Sequence, residues 1–327
     1  MIKPDILSGV TNKVTSEQTV IKTGRRWFSD QWLYHAVLIF LLVLMLLPFI
    51  WMLATALKSD YASTPASLTG QKKDLGTLFS LFWPGEFHFE NFTKAWTGKY
   101  STRVTDTGFF DAPFTQYFFN SLVVGVLETA GVLFTSILAA YAFARMEFWG
   151  KSILFTFILA TMAIPHEATY IPNLVIVSQL GQLVSWLGTN SYTALFLPWI
   201  ASAFYIFLLR QFFMSIPQEL YEAAQLDGIG ELGFLWRIAI PLSSPAILTV
   251  ALFAFLGNWN AFLWPLIAAP NIPVVQTGLR LFVGNTEVAT QWNLLMAAST
   301  IVILPIVVLY FLVQQRFIEG ISRSGLK

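Results

Sequence analysis

Glu222-Ala223-Ala224-Gln225-Leu226-Asp227-Gly228, followed after nine residues by Ile238-Ala239-Ile240-Pro241, is the stretch on which the reading of this chain turns. It lies between two long apolar segments, so it sits at one face of a membrane, yet it has the signals of folded structure. Ser215 offers an N-cap, with Pro217 in the first turn and Gln218 three residues on, and the helix so begun runs to about Leu226. Gly228 and Gly230 supply the backbone freedom to leave that helix. A second short helix, Glu231 to Ile240, is expected to stop at Pro241. Ile216, Leu220, Ala223 and Asp227 share one stripe at three- and four-residue spacing, and the paired alanines let a partner's backbone approach closely. Residues 216–241 also carry Glu219, Glu222, Asp227 and Glu231 against Arg237 alone. Two short helices meeting at a glycine elbow are therefore expected, serving either as a solvated amphipathic connector or as a knob for another protein's socket.

Composition places the elbow in a membrane protein. Of 327 residues 56% are hydrophobic and 11% charged, where an ordinary soluble domain has about 25% charged residues. A net charge of +1 without any Lys/Arg run speaks against nucleic acid. The absence of cysteine excludes disulfides, thiolate metal sites and cysteine nucleophiles. His35, His88 and His166 lack metal-ligand spacing, and no nucleophile-elbow motif occurs. Gly150-Lys151-Ser152 is like the end of a phosphate-binding loop, but Arg145 stands where the required glycine would be. No catalytic residue, metal or cofactor is expected on this chain.

Six apolar runs near the roughly 20 residues a bilayer requires are read as spans. They are 33–57, 117–144, 152 to about 177, 192 to about 213, 243–268 and 292–314. Around them lie an N-terminal tail (1–32), a long hydrophilic loop (58–116) and a C-terminal tail (316–327), with 117–315 as the main body and 216–241 as the elbow loop. The first span reads as an uncleaved anchor, because its apolar run exceeds a signal-peptide core. Trp83, Phe87, Phe89, Phe92 and Trp96 in the long loop point to a small packed element on the membrane surface. Lys3, Lys13, Lys22, Arg25, Arg26, Arg145, Lys151, Arg210, Arg237 and the basic residues of the C-tail all fall on one side, which is therefore cytosolic. Both termini and the elbow share it.

Polar residues inside the apolar runs are the candidates for a pathway. Ile164-Pro165-His166-Glu167 and Tyr170-Ile171-Pro172-Asn173 interrupt the third span, and discontinuous helices often mark transport routes. His166 and Glu167 face either an aqueous pathway or the outer water interface. Glu128 lies well inside the second span, where a carboxylate is costly; it bonds either a solute hydroxyl or a polar group of a partner subunit. Asn258, Trp259 and Asn260 in the fifth span suit a sugar, whose ring faces stack on aromatics and whose hydroxyls bond amides, or else they join helices by hydrogen bonds.

The spacing Glu-Ala-Ala, three residues, Gly, nine residues, Ile-x-x-Pro resembles the coupling loop of permease subunits in binding-protein-dependent ATP-binding-cassette importers, with Ile240 where Leu is usual. Phe119-Asn120-Ser121-Leu122, Ala140-Tyr141-Ala142-Phe143-Ala144-Arg145, Asn258 to Leu266 and Gln315 to Gly320 agree, so residues from about 118 to 327 are similar to the sugar-importer branch. The resemblance implies an all-α, six-span type I importer permease in the bacterial inner membrane. It implies a second permease in a heterodimer, two ATP-binding subunits holding ATP and Mg, an extracytoplasmic solute-binding protein, and lipid around the spans. Glu222, Ala223, Ala224, Asp227 and Gly228 would couple to the ATPase, with Glu222 as polar anchor. Glu128, Glu167, Asn258, Trp259 and Asn260 would line the solute path, and Asn271, Gln276, Thr277, Gly278 and Asn285 would meet the binding protein. The solute itself stays open among sugars, polyols and glycerol phosphate. A secondary transporter is the rival reading, though such folds commonly show paired repeats and more spans; a membrane enzyme would need a catalytic constellation that is not found.

Overall fold

The computed structural model describes residues 27–59, 82–98, 113–283 and 290–324. Among these residues every regular element is helical. The chain divides into two units, residues 1–51 and 52–327. The described part of the first is one helix, the start of Trp27–Ala56, apolar on every face from Ala36 onward as a helix in lipid is. The N-terminal tail to residue 26, residues 60–81 and 99–112 of the long loop, and Asn285 lie outside the described residues.

Trp32–Ala56, Phe114–Arg145, Ser185–Met214 and Trp292–Gln314 are each long and apolar enough to cross a membrane. Two further spans are bent pairs: Lys151–Thr161 meets His166–Leu183 at 100°, and Glu231–Leu242 meets Ser244–Trp259 at 80°. Counting each bent pair as one gives up to six candidate spans among the described residues, and the third, fourth and fifth are interrupted. Pro165 takes an extended ψ of 134° and ends the first half of the third span. In the fourth, a short helix Tyr192–Phe196 and the turn Leu197–Trp199 precede Ala203–Met214. The fifth run, expected to be continuous over 243–268, ends its main helix at Trp259 and resumes only as Leu263–Ala268. Pro265 has no N–H to donate to the carbonyl of Ala261 and its ring crowds that carbonyl, so the helix cannot pass through unbroken.

The second span, Phe114–Arg145, is one continuous helix that packs along this unit's core. Near Arg145 it packs through Tyr141 and Phe143 with Leu209, Phe213, Phe234 and Val250; near Phe114 it packs with Phe255, Trp259, Phe282 and Ala297. Close approach matters at Gly131, where an added Cβ would fall 2.6 Å from Ile200 Cγ2. The sixth-span helix continues past the expected tail boundary to Ser324.

The elbow departs from expectation at both ends. Ser215 closes the preceding helix, its Oγ donating to Phe212 O at 2.7 Å, and the elbow helix is Gln218–Leu226 with no side-chain cap. Gln218 does not reach back to Ser215 because its amide oxygen accepts from Arg145 Nη1 at 3.0 Å. At the other end Pro241 does not stop the second helix. Residues 235–239 form a π turn in which Ile240 N–H bonds Leu235 O, and this wider turn admits the ring, so the helix reaches Leu242. Gly228 meets the expectation: its φ is 75°, Gly228 N–H bonds Gln225 O at 3.0 Å and Ile229 N–H bonds Ala224 O at 2.9 Å. That pairing is a Schellman close, which favours glycine at this position.

In the long loop a helix, Glu90–Thr97, docks on the end of the first span. The Asn91 amide donates to the carbonyls of Ala56 and Lys58, both at 2.8 Å, and so closes one orphan carbonyl of the helix C-terminus and one of the turn that follows it. Phe92 and Trp96 turn into the core, whereas Trp83, Phe87 and Phe89 stack on one another. Asn91→Ala leaves two carbonyls without donors and is expected to lower stability by about 2 kcal/mol. Thermal unfolding in detergent checks this; an unchanged midpoint would deny the docking.

Candidate functional site

The interruptions of the third, fourth and fifth spans open a cavity of about 1040 Å³ beside the second span. Broken helices supply its walls, consistent with the rule that irregular backbone at membrane depth is tolerated where it is packed in protein or lines a cavity. Glu128 projects from the second span and accepts a hydrogen bond from the Asn258 amide of the fifth. Asn260, at the break that follows Trp259, also lines the cavity, its own amide held by Leu256 O at 2.9 Å. Asn173, Thr169 and Ser202 add further polar groups.

Aromatic rings form one side. His166 packs against Trp199 with ring centroids 4.2 Å apart, Tyr170 lies 5.7 Å from Trp199, and Trp199 meets Trp264 edge-on at 5.2 Å. Trp264 is fixed by its indole N–H, which donates to Ala194 O at 3.0 Å. Among the described lining residues, Glu128, His166 and the phenols of Tyr170 and Tyr205 are the only ionisable groups; no Lys or Arg lines the cavity.

Two of the five expected pathway residues lie elsewhere. Trp259 is 1% exposed and points the opposite way, its indole N–H donating to Val302 O at 3.2 Å and its ring stacking on Phe255. Neighbours on a helix diverge by about 100°, so Asn258 and Trp259 cannot share a face. Glu167 is exposed and does not line the cavity, while its neighbour His166 does. The aromatic wall was missed because its members come from three different spans.

The stretch expected to meet a binding protein is largely occupied with its own folding. Gly278 is buried, and a Cβ there would fall 2.6 Å from Tyr117 Cδ1. Gln276 donates to Trp259 O at 3.2 Å and Thr277 to Val274 O at 2.8 Å. The segment is pinned to the second span by Asn120, which donates to Pro273 O at 2.8 Å, and by Ser121 Oγ, which accepts from Val275 N–H at 2.9 Å. Asn271 alone of the described four is exposed.

On the elbow helix Glu222, Ala223 and Asp227 are exposed, as is Leu226 at 90%. Ala224, expected to face a partner, is 4% exposed; it packs against Phe234 and the second span of its own chain. The paired alanines therefore point in opposite directions, one outward and one inward. Leu226 follows Glu222 by four residues, so the two share a surface. The helix is held on the bundle by polar contacts the sequence reading did not foresee. Arg145 donates to the carbonyls of Phe213, at 3.1 Å, and Ile216. Glu231 accepts from Tyr141 Oη at 2.5 Å through one carboxylate oxygen and from Tyr221 Oη through the other. That bond, together with partial burial, pushes the Tyr221 phenol above its ordinary pKa.

Residues 131–323 match the family described as binding-protein-dependent transport system inner membrane component. The sn-glycerol-3-phosphate transport system permease proteins UgpE of Yersinia enterocolitica and Salmonella typhi are each 33% identical over 243 residues, 74% of this chain and 82% of theirs. A bacterial ABC transporter involved in import of the acidic polysaccharide alginate superposes with a TM-score of 0.68 at 21% identity, over 90% of this chain and 98% of that one. A bacterial alginate ABC transporter in complex with an alginate pentasaccharide-bound periplasmic protein gives 0.50 at 16% identity, over 88% and 96% of the two chains. These two likenesses show the fold. The family match spans the third to fifth spans, the elbow and the sixth span together, and the relatives are transport components and not enzymes. The chain thus belongs to the binding-protein-dependent permeases of ATP-binding-cassette importers, as a multi-pass inner-membrane subunit that works with a binding protein and ATP-binding-cassette partners.

Proposed function

We propose that this chain is one of two permease subunits, paired as a heterodimer, that form a path for ATP-driven uptake of a carbohydrate. Two ATP-binding subunits, which hold the ATP and Mg, dock on the exposed face of the elbow helix from the cytosol, where both termini also lie. An extracytoplasmic binding protein delivers the solute at the opposite end, where exposed Asn271 stands. Glu222, Ala223, Leu226 and Asp227 meet the ATP-binding subunit, and Gly228 sets the angle at which they are offered.

The observation that carries the solute class is the cavity lining. A sugar ring offers apolar faces to aromatics such as Trp199, Tyr170 and Trp264, and its hydroxyls exchange hydrogen bonds with Glu128, Asn258 and Asn260. A phosphate or sulfate is held instead by Arg forks or Lys ammonium groups, and the described lining contains a carboxylate and neither of these. A second reading, sn-glycerol 3-phosphate, is favoured by the 33% identity to permeases named for that solute. It requires the cations to come from the partner permease.

The decisive experiment reconstitutes the complex, purified with its partners in mild detergent, into proteoliposomes. ATP-dependent uptake of an uncharged carbohydrate that excess sn-glycerol 3-phosphate does not inhibit is expected; uptake of sn-glycerol 3-phosphate itself would establish the second reading. Glu128→Gln removes a charge-assisted bond to a solute hydroxyl and is expected to raise the half-saturating concentration about tenfold. Cysteine at Ala223 is expected to crosslink to an ATP-binding subunit in the same membranes.

A further inference from the structure

The second span links the elbow to the cavity without interruption. Tyr141 and Glu128 are thirteen residues apart on the helix Phe114–Arg145, which sets them about 20 Å apart along one axis. The third, fourth and fifth spans break beside the cavity, so each has a joint that absorbs displacement. The second has none. Its elbow end grips both sides of the elbow helix: Arg145 holds the entry through Phe213, Ile216 and Gln218, and Tyr141 holds the exit through Glu231.

Glu231 is the shared point of that grip. Its two oxygens accept from phenols on different elements, Tyr141 on the span and Tyr221 on the elbow helix, and it stands in the first turn of the second elbow helix. The rings around it leave little slack, with Phe234 edge-on to Tyr221 at 5.1 Å and Tyr141 edge-on to Phe213 at 6.1 Å. Elsewhere the elbow helix touches the bundle mainly through Ala224, the one buried residue of its nine. A small side chain resists sliding poorly, whereas two hydrogen bonds to one carboxylate fix both position and orientation.

We propose that Glu231 is a positioning residue for transport, a clamp that passes displacement of the elbow helix to the second span and so to Glu128 in the cavity. The inference rests on the reading that ATP-binding subunits push the elbow. Glu231→Ala removes both acceptors; Tyr221→Phe removes one of the two donors and keeps the ring; Glu231→Gln keeps one acceptor oxygen.

The test measures solute uptake and binding-protein-stimulated ATP hydrolysis together in proteoliposomes holding the complete importer, with cysteine at Ala223 as reporter of docking. The clamp predicts hydrolysis within about twofold of the parent and uptake lowered at least about fivefold in Glu231→Ala, with Glu231→Gln intermediate. A parallel fall in both activities would mean a merely structural role and overturn the clamp, as would an unchanged ratio of solute moved to ATP consumed. Should Glu231→Ala fail to assemble, the same ratio in Tyr221→Phe decides: a fall supports the clamp and constancy overturns it. If the Ala223→Cys crosslink forms while the ratio stays constant, the clamp fails and the docking reading stands. If that crosslink never forms in the otherwise unaltered chain, the docking reading itself fails.

Discussion

A backbone carbonyl or N–H left unpaired in hydrocarbon costs several kcal/mol, and a bundle with three interrupted spans frees many of them. Polar side chains of the second span take up a large share. Thr135 donates to the carbonyl of Ile200 at the break in the fourth span, Asn120 to Pro273, and Ser121 accepts from Val275 N–H. Arg145 closes the carbonyls of Phe213 and Ile216, where the chain leaves the membrane for the elbow. One continuous helix thus acts as the hydrogen-bonding partner that lets its neighbours be discontinuous.

The breaks in turn create the cavity. Pro165 and Pro265 interrupt their helices for the same reason, a missing N–H and a ring that crowds the preceding turn. The chain that turns aside at each break leaves space, and the side chains near the turns fill its rim: His166 and Tyr170 from the third span, Trp199 from the fourth, Trp264 from the fifth. The Glu128–Asn258 pair joins the unbroken span to a broken one at this depth.

The elbow shows the complementary arrangement outside the core. Its exposed face carries Glu222, Ala223, Leu226 and Asp227, while its inner face is thinly packed and held by Arg145 and Glu231. Arg210, donating to Phe143 O at 3.0 Å and lying 4.1 Å from the Phe155 ring centroid, braces the same end of the bundle. Polar bonds here hold geometry without demanding a large apolar contact.

Much of this was legible in the chain itself. Long apolar runs determine spans because lipid offers the backbone no other partner, and a glycine just past the end of a polar, alanine-bearing helix determines an elbow because φ near 75° excludes most other residues. Prolines followed by polar residues marked the break in the third span. The sequence also singled out Glu128, Asn258 and Asn260, since polar groups at membrane depth need a reason to be there. What one dimension withheld was direction. Only the tertiary structure decided that Trp259 and Ala224 face inward while Asn258 and Ala223 face outward or to the cavity, that Gln276, Thr277 and Gly278 serve packing, and that a carboxylate at Glu231 joins two tyrosines eighty residues apart. Each of those outcomes depends on which helix lies beside which, a property of assembled faces that no local pattern of residues contains.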